Sequence, residues 1–206
     1  MDGYIPQHFE AKFPDRLCLP FRFDPARLAR DLGSLSSSAW VRHYVRNNYE
    51  GDWSVIPLRA PAGERHPVRM IGADPSCQNF VDTALLDACP YFREVIATFR
   101  APLRAVRLMR LTAGSVIKEH EDVALSFEDG MVRLHIPVVT NDDVDFRLNG
   151  ARVNLQAGTC WYLRLSDPHS VANRGSADRV HLVVDALAND WVGHIFEEAA
   201  ASAMAN

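Results

Sequence analysis

VRLHIPVVTNDDVDFRLNGARVNL, residues 132–155, is the stretch whose reading decides the fold. An apolar run over Val132–Thr140 stops at Asn141-Asp142, resumes over Asp143–Leu148, and stops again at Asn149-Gly150 before Ala151–Leu155. Alternating apolar and β-branched residues favour a pleated, half-buried strand. Asn-Gly between two such runs predicts a tight hairpin, because a two-residue turn of matching twist needs positive φ at both central positions. Working outward, the same pattern predicts strands at Ala105–Leu111 and Ser115–Glu119 upstream, and at Thr159–Leu165, Ser170–Ala172 and Val180–Ala186 downstream. Gly114 and Ala157-Gly158 punctuate them. Many short strands at close spacing predict a mainly β fold, a double-stranded β-helix of the jelly-roll kind.

The flanks read differently. Residues 1–22 carry Pro6, Pro14 and Pro20 and predict irregular chain. Asp24-Pro25 is an N-cap followed by proline at the first helical position, with Leu28, Leu32 and Leu35 at helical intervals. Ser36–Ser38 marks a turn or a second helix start, and Trp53–Leu58 reads as a strand after the Gly51-Asp52 turn. Residues 59–78 predict a long loop, Asp82–Arg100 a helix broken or started at Pro90, and Trp191–Ala203 an Ala-rich helix. The expected organisation is one domain: an N-terminal helical and irregular region (1–100) packing on the barrel, the β-helix core (101–187), and a C-terminal helix (188–206).

Composition narrows the class. The chain has 206 residues, a net charge of -4 and 48% hydrophobic content. No basic excess points to nucleic acid, and no basic amphipathic stretch or long apolar run points to a membrane. The first residues lack the charged end and apolar run of a signal peptide, so the expected location is cytoplasmic. Cys18, Cys77, Cys89 and Cys160 are scattered without CxxC spacing and read as free thiols, mostly buried.

The chemistry sits in the strand-rich third. On a strand, residues i and i+2 share a face, so His120 and Asp122 can present an imidazole and a carboxylate to one ion. His169 follows several strands later, where a jelly roll returns across the same mouth. Two histidines and a carboxylate cap one face of an octahedral metal and suit Fe(II), though Mn, Ni or Zn bind the same donors. Arg179 begins the Val180–Ala186 strand and offers the bidentate fork that carboxylates favour. Arg133 and His135 share a strand face and, once buried, call for an anionic partner: a co-substrate or substrate carboxylate, or else a satisfied core histidine beside a solvated arginine. His181 competes for the metal but shares its strand face with Arg179, which disfavours it. Trp53, Trp161 and Tyr162 read as core or pocket-wall aromatics.

These residues together resemble the aspartyl/asparaginyl β-hydroxylase family of 2-oxoglutarate-dependent dioxygenases, which includes bacterial proline cis-hydroxylases. The matching pieces are Arg107–Leu111 with Gly114, His120–Asp122, Arg133–Pro137, Gly158 with Trp161-Tyr162, His169–Asn173, and Arg179–Leu182, with Gly51–Trp53 upstream. They span about residues 50–186. The resemblance implies a double-stranded β-helix, Fe(II) held by His120, Asp122 and His169, and 2-oxoglutarate held by Arg179 with Arg133, His135 and Trp53 contributing. O2 would be the second co-substrate. The expected reaction is hydroxylation of an unactivated C–H bond in an amino-acid-like small molecule or in an Asp, Asn or Pro residue. The animal members lack the carboxylate of the HxD pair, whereas this chain keeps Asp122. It also lacks tetratricopeptide repeats, which favours a small-molecule or peptide substrate. The rival reading is a cupin-like module that binds a metal or 2-oxoglutarate without catalysis, as a sensor or partner protein, since fold and ligands do not fix chemistry. A metal-dependent cupin isomerase is a third, but it has no use for Arg179 as a dicarboxylate clamp. Oligomeric state is left open.

Overall fold

The computed structural model describes residues 11–72 and 77–204. In chain order it contains β1 (Arg16–Arg22), α1 (Pro25–Ser34), β2 (Val41–Arg42), β3 (Tyr49–Glu50), β4 (Trp53–Pro61), α2 (Pro67–Met70), β5 (Phe80–Asp82) and α3 (Pro90–Ala97). Then follow β6 (Leu103–Leu111), β7 (Val116–His120), β8 (Met131–Val139), β9 (Val144–Leu148), β10 (Ala151–Arg152), β11 (Thr159–Leu163), β12 (His169–Asn173), β13 (Arg179–Leu187) and α4 (Asp190–Met204). Two antiparallel sheets form the double-stranded β-helix. The larger has the order β1-β11-β8-β13-β6-β4-β2, with β5 added on β4; the smaller has the order β10-β9-β12-β7-β3.

The alternation along β13 shows how the sequence builds both layers. Val180, Leu182, Val184 and Ala186 join the core between the larger sheet and the helices, with Leu28 of α1, Phe92 of α3 and Phe196 of α4. The odd positions turn inward. Val183 packs between the sheets with Leu111, Phe146 and Leu163, while Arg179, His181 and Asp185 put polar groups on that same inner face. Fully burying one Leu, Val or Phe side chain stabilises by about 1.5–3 kcal/mol, so the apolar positions hold the layers against the cost of the polar ones.

Local signals are met where chemistry demands them. Asn149 and Gly150 both take positive φ (51° and 73°), joining β9 to β10 as a two-residue hairpin. Asp24 caps α1, its carboxylate accepting from the Ala26 and Arg27 amides. Asp31, buried on α1, accepts from the Phe92 amide at 2.8 Å and so caps α3 from outside. Gly158 precedes β11 with φ +77°, and a Cβ there would lie 2.2 Å from the Phe23 carbonyl oxygen. Gly158→Ala is therefore expected to lower stability by at least about 1–3 kcal/mol; a wild-type denaturation midpoint would refute this.

Several expectations need correction. Residues 16–22 form a strand, because Pro20 lies on an edge strand, where its missing N–H breaks no ladder. Residues 82–100 are not one helix: β5 ends there, a 3-10 turn spans Ala84–Ala88, and α3 starts at Pro90. Proline disfavours helix in the residue before it, which resets the chain. The expected loop at 59–78 contains the end of β4 and the short α2, and β10 stops at Arg152 rather than Leu155. All four cysteines are free, but only Cys89 and Cys160 are buried. The readings of residues 1–10 and 73–76 lie outside the described residues. Among those described, no helix is long and apolar enough to cross a membrane.

Candidate metal centre and co-substrate pocket

β7 ends on His120 and β12 begins on His169, and the two are direct cross-strand partners. Their rings lie 4.3 Å apart. Asp122 is two residues past the strand end rather than on it, so the strand-face argument does not place it. Its own amide does, donating to the Leu165 carbonyl at 2.8 Å. Its carboxylate then comes within 3.8 Å of His120 Nε2, and one ligand atom from each of His120, Asp122 and His169 falls within 4.8 Å of the others.

The imidazoles are set to ligate. His120 Nδ1 donates to the Lys118 carbonyl at 2.8 Å, and His169 Nδ1 donates to the Asp167 carbonyl at 3.0 Å. A carbonyl only accepts, so each proton sits on Nδ1 and each Nε2 presents a lone pair. Burial lowers the His169 pKa and keeps that ring neutral. The donor set fits Fe(II) on these grounds.

Behind the triad runs a buried chain of charges. Arg133 donates from one terminal nitrogen to Asp122 at 2.6 Å, and from Nε and the other terminal nitrogen to the two oxygens of Asp185 at 2.6 and 3.0 Å. Arg107 donates to the same Asp185 carboxylate at 2.5 Å and to the Ile71 carbonyl at 3.0 Å. Asp185 is fully buried. Burial alone would raise its pKa, yet Arg107 and Arg133 hold it below the usual carboxylate range. Asp185 and Asp122 are thus anionic partners of Arg133 within the chain.

Arg179 lies deeper, 2% exposed. One terminal nitrogen donates to His181 Nδ1 at 2.8 Å, and Nε has no partner. Since His181 Nδ1 accepts there, His135 Nδ1, 3.2 Å away, is the donor to it. Burial pushes Arg179 down to about 9, still charged at neutral pH. The pKa values of His135 and His181 fall well below that of free histidine, first through burial and then through Arg179. Nε2 of both rings is also buried and unpartnered. Among the described residues no carboxylate pairs with Arg179, so a buried cation and orphaned polar atoms stand together, the state that an incoming anion relieves. His181 belongs to this cluster, away from the triad.

A cavity of about 360 Å3 opens over the triad, lined also by Arg107, Arg133, His43, Trp53 and Phe146. Trp53 stacks on His43 at 3.6 Å with the planes 8° apart, which makes it a wall of this cavity; its Nε1 is buried without a partner. Burial, followed by Arg107, lowers His43 to about 3, so that ring is neutral. Arg179 and His135 are absent from this lining and lie beside Phe146, 5.8 and 6.0 Å from its ring centroid. Sequence reasoning missed Asp185, His43 and Phe146. A signal for Asp185 existed: a lone acid in an apolar strand, in phase with Arg179 and His181.

Comparison with known proteins gives the class this fold and site define. Residues 27–189 match the sequence pattern of the Aspartyl/Asparaginyl beta-hydroxylase family, and the chain belongs to that family. It is similar to an L-proline cis-4-hydroxylase of Rhizobium meliloti (strain 1021), 26% identical over 167 residues, covering 80% of this chain. The chain spans 58% of the length of that curated relative. Among solved structures it resembles an oxidoreductase of the 2OG-Fe(II) oxygenase family from Burkholderia pseudomallei, with a TM-score of 0.52 and 19% identity over 85% of this chain and 86% of the other. That likeness is one of fold.

Proposed function

We propose that this protein is an Fe(II)- and 2-oxoglutarate-dependent dioxygenase that hydroxylates an unactivated C–H bond of an amino-acid-like small molecule or of an Asp, Asn or Pro residue. The carrying observation is the pairing of a His120–Asp122–His169 cluster with a buried arginine that, among the described residues, lacks a carboxylate partner, deeper in the same barrel. Family membership and the proline cis-4-hydroxylase relative support the reading. Iron and 2-oxoglutarate together would supply the oxidising power that breaks the C–H bond, with O2 consumed. His120 and His169 would ligate through Nε2, with their tautomers fixed by the Lys118 and Asp167 carbonyls. Arg133 holds one oxygen of Asp122 at 2.6 Å, and the other would be left to ligate the metal. Arg179 takes the distal carboxylate of the co-substrate, and the apolar walls keep water from the reacting centre.

The test is an anaerobic titration of the protein with Fe(II) and 2-oxoglutarate, read by the weak visible charge-transfer band of the chelate. Succinate release is then assayed against free amino acids. Arg179→Ala is expected to weaken 2-oxoglutarate binding by about 2–5 kcal/mol, roughly 30- to 5,000-fold, as a buried ion pair loses one member. Metal binding without the chelate band would instead favour the cupin-like binding module.

A further inference from the structure

A second cavity, about 180 Å3, lies at the far end of the barrel, lined by Val144, Val153, Leu155, Gln156 and His181 among others. It shares one lining side chain with the metal cavity, Phe146. The strand register says where that ring stands. Along β9, Leu148 faces His169, Phe146 faces Val171, and Val144 faces Asn173, so the strand leads away from the triad. On the opposite wall Asp185 faces Arg133, Val183 faces His135, and His181 and Arg179 follow deeper along β13. Phe146 therefore sits at mid-depth. Its ring is edge-on to His135, 6.0 Å between centroids, and 5.8 Å from the Arg179 guanidinium.

We propose that Phe146 is the length gauge of the co-substrate pocket, fixing which 2-oxo dicarboxylate the enzyme accepts. The inference rests on the co-substrate reading above. A diacid with its 2-oxo end at the triad and its distal carboxylate on Arg179 must lie along Phe146. One more methylene drives that carboxylate past Arg179 toward the second cavity, where Phe146, the one lining side chain that cavity shares with the metal cavity, stands in its way. A single methylene in an apolar pocket is discriminated about 10- to 200-fold. Shrinking Phe146 joins the two cavities and gives the extra methylene room beside the same arginine.

The experiment is anaerobic titration calorimetry of the Fe(II)-loaded full chain with 2-oxoglutarate and with 2-oxoadipate. Wild type is expected to prefer 2-oxoglutarate by at least about 10-fold. Phe146→Leu and Phe146→Ala are expected to bring the ratio within about 3-fold, mainly by tighter 2-oxoadipate binding. The leucine variant guards against a folding defect in the alanine one, with melting temperature as control. An unchanged ratio in folded variants overturns the gauge and leaves the co-substrate assignment standing. A wild type that binds neither diacid overturns the co-substrate assignment itself, and the gauge with it.

Discussion

Replacing Asp185 with alanine is expected to cost about 3–5 kcal/mol of folding stability. The carboxylate is wholly buried and is shared by two guanidiniums, Arg107 and Arg133, which are nearly as inaccessible. Removing it leaves Arg107 without a carboxylate and Arg133 with Asp122 alone, and an unpaired buried charge costs far more than the pair contributes. Guanidinium chloride denaturation at neutral pH measures the effect, and a midpoint close to wild type would sink the argument. Because the folded-state pKa of Asp185 is depressed below the ordinary aspartate value of 3.8, the stabilisation is fully present above about that pH. It is lost as pH falls through the still lower folded value. The wild-type protein should therefore lose this contribution in acid and keep it through the neutral range. The same substitution frees Arg133 to turn away from Asp122, so metal affinity should fall as well, by about 10–100-fold, as when other outer partners of metal ligands are removed.

Asp122→Ala is expected to remove Fe(II) binding and 2-oxoglutarate turnover together, with a loss in metal affinity above the ~10–100-fold assigned to outer partners. Two effects combine. One of the triad donors disappears, and the Arg133 nitrogen that it neutralised at 2.6 Å now presents positive charge to the ion. Folding should be much less affected than in the Asp185 variant, because the Asp122 side chain is 29% exposed against 0% for Asp185. Anaerobic metal titration beside a thermal melt separates the two properties. Wild-type metal affinity in Asp122→Ala would remove the carboxylate from the centre.

The strand-rich third was legible because each of its signals is local. Apolar alternation and Asn149-Gly150 act within a few residues, and each of the strands expected after residue 104 exists, with ends displaced by a few residues. The N-terminal third was legible only in part: α1 after the Asp24 cap and β4 from Trp53 follow local signals, whereas other outcomes there depend on partners distant in sequence. Arg16–Arg22 becomes a strand by pairing with β11, which outweighs the local preference that Pro20 expresses. At the site, the residue types announced the triad, but proximity came from the His120–His169 register and from the Leu165 carbonyl, neither visible in spacing. Arg133 shows the limit best. Its need for an anion follows from burial alone, whereas the identity of that anion required knowing that β13 lies beside β8 with Asp185 opposite.

The family pattern begins at residue 27, yet β1 ends five positions earlier, at Arg22. This strand caps the free edge of β11 and buries Leu17 and Leu19. Its own outer edge is blunted by Pro20 and by the register break between Leu19 and Arg22. A polypeptide trimmed to the family boundary would expose an unprotected ladder and an open apolar flank, the template for self-association. The folding unit is thus longer than the matched family pattern, since the edge strand that covers β11 lies outside residues 27–189.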